Sequence, residues 1–227
     1  MVSMILPPSF FWIHRITSES ENPLPLLPAL PIATIPSKCY NKFAEILQTL
    51  NKKEEMDMLD PKVAELLNTQ VNKEFYSAYL YLDFANYYKD QGLDGFANWY
   101  NIQAQEERDH AMLFIQYLQN NGEKVTLESI DKPEAVLAGF EDPLKAGLEH
   151  EQYVTSLIHA IYDAAYAQKD FRTMQFLDWF VKEQGEEEKN ADDLITKFNL
   201  FGHDSRSLYM LDSELAARVY SAPSLVL

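Results

Sequence analysis

Cysteine is almost absent from this chain: one residue in 227, Cys39. A disulfide framework is thereby excluded, and so is a zinc or iron–sulfur site built from thiolates. Basic side chains are scarce too. Nineteen Lys and Arg face 35 Asp and Glu, a net charge of −16, with a pI near 4.6. Nothing is available to neutralise a phosphate backbone, so no nucleic-acid partner is expected. An acidic surface attracts cations instead. No apolar run approaches the ~18 residues a membrane-spanning helix needs, and no membrane partner is expected. Glycine is missing altogether from the first 57 residues, which nonetheless hold seven of the eleven prolines.

That uneven use of proline and glycine divides the chain. The stretch P-L-P-L-L-P-A-L-P-I-A-T-I-P, from Pro23 to Pro36, cannot be helix, because each interior proline removes a donor and clashes with the preceding turn. Residues 58–227 carry 14 Lys and Arg against 29 Asp and Glu, so the acidity belongs to this second part.

From Asp60 on, the punctuation is helical. Asp60-Pro61 reads as an N-cap followed by proline at the first helical position. The first helix runs to about Asp90, with Gly92 to end it. A second runs from about Asp94 to Asn121, before Gly122. Residues 122–141 show mixed signals and no helical stripe. Asp142-Pro143 repeats the N-cap signal and opens a third helix to about Lys169. A fourth runs from about Phe171 to Phe198, and a short fifth over Ser205–Arg218. The first–second and third–fourth connections are short, which makes each pair antiparallel. A helix of about 27 residues is ~40 Å long, a distance that about 20 extended residues can cross. The expectation is an all-α four-helix bundle with a long crossover between the second and third helices and a short fifth helix.

Acids interrupt the apolar stripes. The second helix's inward stripe reads Phe96, Tyr100, Gln103, Glu107, His110, Phe114, Tyr117, at steps of three and four. The first carries Glu74 near its middle, with Tyr81 seven residues on, the third Glu151, and the fourth Gln184 and Glu187. Helices aligned by their midpoints bring the four Glu to one level. A buried, unpaired charge costs several kcal/mol, and like charges add to that. Such groups protonate, pair with cations or bind metal. No Lys or Arg lies on these stripes at that level. Carboxylates with one imidazole suit iron or manganese better than copper or a structural zinc site. Glu107 is placed to bridge two ions, which in such sites lie ~3.5–4 Å apart. Glu106 adjoins Glu107, and Glu183 and Glu186 lie within one turn of Glu187. The run E-Q-G-E-E-E (183–188) reads first as a solvated face, but these acids can also offer a third, looser cation position.

Residues 58–227 resemble a bacterial non-haem ferritin over their whole length. The resemblance rests on N-K-E-F-Y-S-A-Y-L-Y (72–81), Q-E-E-R-D-H-A (105–111), H-E-Q (150–152) and W-F-V-K-E-Q-G-E-E-E-K (179–189). It implies an iron-storing ferroxidase of the cytoplasm. Such proteins form hollow 24-subunit homo-oligomeric cages, oxidise Fe(II) with oxygen or hydrogen peroxide at a dinuclear centre, and store ferric mineral. Carried over, the first iron position is Glu74, Glu107 and His110. The second is Glu107, Glu151 and Glu187, with Gln184 nearby. The third uses Glu106, Glu183, Glu186 and Glu187. Tyr81 matches the tyrosine beside the centre, as electron donor or hydrogen-bond partner. The fifth helix would line the four-fold axes.

Departures separate this chain from related families. Bacterioferritins and most di-iron oxygenases place a second Glu-x-x-His on the fourth helix, where this chain has Gln184-x-x-Glu187. The haem-ligating methionine of bacterioferritins is replaced by Arg108, so no haem is expected. Rubrerythrin-like peroxidases need a cysteine-rich iron site. A DNA-protecting mini-ferritin builds its iron site between subunits and a di-iron oxygenase would need the second histidine; both are the weaker readings. So is a catalytically silent cage subunit, which should lack the centre residues.

Bacterial ferritins begin at a position matching Met58, which leaves residues 1–57 without a counterpart. Arg15 follows the apolar M-I-L-P-P-S-F-F-W-I run instead of preceding it, so the segment is a poor secretory signal. Its acids argue against a mitochondrial presequence. Lys53-Glu54-Glu55 can be encoded by a purine-rich, ribosome-binding-like sequence just upstream of the Met58 codon. Translation is therefore expected to start at Met58; if residues 1–57 are made, they are expected to form no fixed structure. Intact-mass measurement of the native protein should give a chain beginning at Met58, and a mass that includes residues 1–57 would defeat this expectation.

Overall fold

The computed structural model describes residues 59–227, together with Lys42; the expectations for residues 1–57 lie outside the described residues. The chain divides into two units, residues 1–52 and 53–227, and the helices below all belong to the second. They are α1 (Pro61–Asp90), α2 (Asp94–Asn120), α3 (Asp142–Gln168), α4 (Phe171–Phe201) and α5 (Ser205–Leu215). No strand occurs among the described residues.

Local chemistry sets most of the boundaries. Asp60 caps α1 by accepting from the Lys62 amide at 2.9 Å, with Pro61 next in line. Gly92 and Gly122 follow α1 and α2 at φ 76° and 78°, a left-handed conformation that costs glycine nothing. Asp170 caps α4 and Asp204 caps α5. Three boundary details differ from the sequence reading. The Asp142 carboxylate does not cap α3 but reaches back to accept from the Ala138 and Gly139 amides. Helix α4 continues past Phe198 to Phe201, since nothing breaks it before Gly202, whose amide donates to the Phe198 carbonyl. Helix α5 stops at Leu215 rather than Arg218, where the chain tightens into turns in which the Ala217 and Arg218 amides donate to the Glu214 and Leu215 carbonyls.

Packing fixes the directions. One apolar cluster joins Leu80–Tyr88 of α1, Phe96–Ala104 of α2, Leu144 of α3, Leu194 and Phe198 of α4, and Leu211 and Leu215 of α5. The other joins Val63–Val71, Phe114–Leu118, Val154–Ala165 and Phe176–Phe180. Each cluster therefore takes opposite ends of α1 and α2, and of α3 and α4, so both pairs are antiparallel. Residues 121–141 cross the length of the bundle between them. Asn68 and Asn72 of α1 tie down that crossover, bonding the Thr126 amide and carbonyl and the Ser129 carbonyl at 2.9–3.0 Å. Fully buried Phe84, Phe96, Phe114 and Phe180 each contribute ~1.5–3 kcal/mol of hydrophobic stabilisation.

Helices α2 and α5 cap one another. Leu93 offers α2 no side-chain cap; Asp212 of α5 supplies it, accepting from the Gly95 and Phe96 amides at 2.7 and 3.0 Å. In return Asn98 of α2 donates to the carbonyls of Leu215 and Arg218 at the end of α5. The contact requires glycine at 95, where a Cβ would fall 1.7 Å from the Asp212 carbonyl oxygen. Glycine-to-alanine in a helix ordinarily stabilises. Here Gly95→Ala should instead cost about 1–3 kcal/mol in chemical denaturation, by forcing α5 away, and a neutral or stabilising result would refute the docking.

Candidate metal centre

Between the two apolar clusters lies a polar layer. Helix α1 brings Gln70, Glu74 and Ser77 into it, α2 brings Gln103, Glu107 and His110, α3 brings Glu151, and α4 brings Gln184 and Glu187; all are buried. The helical repeat explains the registry, because these residues sit at three- and four-residue steps on stripes that are otherwise apolar.

Glu74, Glu107 and His110 are 1–2 % exposed. Their ligand atoms all lie within 4.8 Å of one another, the one such group among the described residues. Gln70 Nε2 donates to Glu74 Oε1 at 2.8 Å. His110 Nδ1 lies 3.4 Å from Glu107 Oε2. The remaining oxygens, Glu74 Oε2 and Glu107 Oε1, are buried and have no hydrogen-bond partner. With both carboxyls ionised these are orphaned buried acceptors, each costing ~1–3 kcal/mol; a proton shared by Glu74 and Glu107, or a cation between them, would satisfy both. Trp179 and Phe180 set their edges against the His110 ring, with centroids 5.5 and 5.8 Å away.

Glu151 and Glu187 complete the layer. Tyr81 donates its hydroxyl proton to Glu151 Oε1, and Gln184 Nε2 donates to Glu151 Oε2 at 3.1 Å. Gln103 Nε2 donates to Glu187 Oε2 at 2.6 Å. A small cavity lined by Tyr81, Trp99, Gln103, Gly147, Glu151 and Glu187 adjoins this half.

Burial dominates the proton affinities. It pushes Glu74 up to about 8, helped by the charge on Glu107. It raises Glu187 to about 8 and Glu151 to about 7, the latter against the hydrogen bonds from Tyr81 and Gln184. Glu107 is raised well above the carboxylate range by burial and then by Glu151 and Glu187. Tyr81 is held well above its usual value by burial and the neighbouring acids, so it stays a donor. Burial lowers His150 to about 4, and the neutral ring meets Ser77 Oγ at 2.8 Å.

Of the four acids expected at a third position, Glu187 lies in the layer, Glu106 and Glu183 are part-buried, and Glu186 is exposed. Glu106 is paired with Arg218, Oε2 to Nη2, at 2.6 Å. Exposed Glu186 pairs with Lys182 at 3.1 Å. Glu183 is half-buried, and its carboxyl is raised by that burial. Arg108 is exposed and pairs with Asp109. Sequence reasoning placed Gln103 on the inward stripe without assigning it a role, and it missed Arg218, which no periodicity connects to α2.

The fold and this layer define a class: a four-helix bundle with a carboxylate-rich layer, able to hold a metal ion, at its centre. The ferritin-like domain family matches residues 64–201. The chain is 37% identical over 163 residues to the bacterial non-heme ferritin of Staphylococcus saprophyticus, across 72% of this chain and 98% of that protein. It is 36% identical over 155 residues to that of Campylobacter jejuni, across 68% and 93%. Among solved structures, the open-pore ferritin of the hyperthermophilic archaeon Archaeoglobus fulgidus superposes with a TM-score of 0.69 at 42% identity, across 71% of this chain and 98% of that one. An engineered closed form of the same ferritin gives 0.70 at 40% identity, across 72% and 99%. The chain belongs to the ferritin family.

These raised proton affinities make stability depend on pH. Between 4.5 and about 7–8 the folded protein keeps protons on Glu74, Glu151 and Glu187 that the unfolded chain releases. Stability then falls as pH rises through that window. The melting temperature of metal-free protein should drop by several degrees from pH 5 to pH 8.5. Redox-inert Zn(II) should raise it more at pH 8 than at pH 5.5, because bound metal displaces those protons. A flat metal-free profile would show that the layer is not protonated.

Proposed function

We propose that this protein stores iron, oxidising Fe(II) as substrate at the paired carboxylate centre and holding the ferric oxyhydroxide product inside a homo-oligomeric cage, on the resemblance one of 24 subunits. The observation that carries this reading is the pair of unpartnered oxygens, Glu74 Oε2 and Glu107 Oε1, inside a layer of four buried acids and one imidazole. One Fe(II) is taken by Glu74, Glu107 and His110. The other is taken by Glu107, Glu151 and Glu187, with Gln184 beside it. Each Fe(II) gives up one electron. The two electrons, with two protons, reduce one oxygen molecule to hydrogen peroxide, or one peroxide to two waters. The first position holds its ion more tightly, since only there does an imidazole share a helix with the bridging acid.

The side chains around the acids support this division of labour. Gln70, Tyr81, Gln103 and Gln184 orient carboxylates with neutral donors, so the charge stays available to the substrate. The protons that the acids hold at neutral pH leave as cations enter, consistent with a site that is filled and emptied. Assembly is supported by Leu200, Phe201, Tyr209 and Met210, large apolar side chains near α5 that stay exposed and that a subunit contact would cover. No described helix is long and apolar enough to cross a membrane, and a cytoplasmic setting fits the family resemblance.

Glu107→Ala and His110→Ala should each slow Fe(II) oxidation by at least about 100-fold, the scale at which removing a metal ligand or its support is felt. Glu107→Ala should stay folded, because removing a buried acid relieves repulsion in the metal-free state, and circular dichroism checks that His110→Ala does too. Stopped-flow absorbance after aerobic Fe(II) addition, with the iron retained per subunit measured after gel filtration, is the test. Wild-type rates in both variants would sink the assignment.

A further inference from the structure

Arg218 lies beyond the end of α5, yet its guanidinium reaches the edge of the metal centre. Nη1 donates to the Trp99 carbonyl at 3.1 Å and to Gln103 Oε1 at 2.9 Å, and Nη2 donates to Glu106 Oε2 at 2.6 Å. The guanidinium carbon sits 4.2 Å from the centre of the Trp99 ring. The ion pair is sheltered, with the two side chains 17 and 16 % exposed.

A guanidinium has only donors. Gln103 must therefore turn its carbonyl oxygen toward Arg218 and its NH2 the other way. That NH2 is the group 2.6 Å from Glu187 Oε2. A flipped amide would set its NH2 against the guanidinium, a donor against a donor in a sheltered place. Gln103 thus fixes one oxygen, Oε2, of the buried Glu187 carboxyl. We infer that Arg218 is a positioning residue for the Glu187 half of the metal centre, acting through Gln103. The inference rests on the reading of this layer as a binding site for divalent cations. The same contacts assign Glu106 a side-chain cation as its partner, so the C-terminal segment is part of the site's support.

Lysine cannot replace arginine here. An ammonium can pair with Glu106, but it lacks the planar fork that serves two acceptors in fixed directions. Arg218→Lys thus separates charge from orientation. Gln103→Leu removes the intermediary.

The test is anaerobic calorimetric titration of the full chain with Zn(II), with magnesium in excess to occupy surface acids. Wild type should show two classes of internal site. Arg218→Ala should weaken the weaker class about 10-fold, the low end of what groups that orient metal ligands contribute, and leave the tighter class within about 2-fold. Arg218→Lys should lose the same affinity while keeping the wild-type melting temperature, which keeps the test valid if Arg218→Ala is unstable. Gln103→Leu should weaken the same class, and adding Arg218→Ala to it should change nothing more. Undiminished affinity in both Arg218 variants, beside a normal wild-type titration, would overturn the inference alone. An Arg218 effect that persists in full on the Gln103→Leu background would overturn it too, by showing action through Glu106. Absence of internal zinc sites in the wild type would overturn both this inference and the proposed function.

Discussion

Four carboxyl groups at one level of a helical bundle, with no lysine or arginine paired to any of them among the described residues, impose a cost that the rest of the molecule is arranged around. Each such group loses several kcal/mol of hydration when ionised. The metal-free protein limits the loss by keeping protons where an exposed carboxyl would have none. What remains is offset from the two ends. Apolar clusters above and below the layer bury whole Phe, Tyr, Leu and Ile side chains, each contributing on the order of 1.5–3 kcal/mol. Long helices are the means to this end, since a single helix must cross one cluster, deliver its acid and cross the other. A shorter bundle could hold the acids or the core but not both.

The hydrogen bonds in the layer follow one pattern. Glu74 is met by Gln70, Glu151 by Tyr81 and Gln184, and Glu187 by Gln103. All four donors are neutral. An ionic partner would have bound more strongly, but it would have neutralised the charge and competed with the incoming cation. Amides and a phenol fix orientation while leaving the acid's charge unspent, and Tyr81 keeps its proton because the same acids suppress its ionisation. Among the described residues, the guanidinium that reaches the layer is kept one residue away from its four acids, bonded to Gln103 and Glu106 rather than to Glu107 or Glu187. Stability and binding are therefore the same problem seen with and without a cation.

Much of this was legible in the sequence because helical periodicity is a strong signal. The stripes put Glu74, Glu107, His110, Glu151, Gln184 and Glu187 inward, and all six are buried. Proline and glycine punctuation marked four helix starts or stops closely. What escaped was what periodicity does not encode. Asp142 read as a cap for its own helix, but its carboxylate serves the loop before it, a choice made by the path of the crossover. The Gln103 amide was visible as a stripe residue, while its orientation depends on a residue 115 positions later. For Glu106 and Glu186, beside the layer, side-chain partners rather than spacing decide where each carboxylate points.

The reach of Arg218 to the centre is a consequence of capping. Asp212 locks α5 to the first turn of α2 at Gly95 and Phe96, and that contact sets where the following residues lie. From there the chain keeps pace with α2. Asn98 meets Leu215 and Arg218, Arg218 meets Trp99, Gln103 and Glu106, and Tyr220 meets Asp109. The eleven helical steps from Gly95 to Glu106 rise about 16 Å. Over that distance the C-terminal segment is bonded to α2 at nearly every turn. The register is set at the far end, because Gly95 is where a side chain is not tolerated. A small displacement of α5 there would be carried along the segment and would move the guanidinium off Gln103. The bundle thus couples the packing of a surface helix to the orientation of Glu187 through one glycine, one aspartate and one arginine, none of which is itself one of the four buried acids.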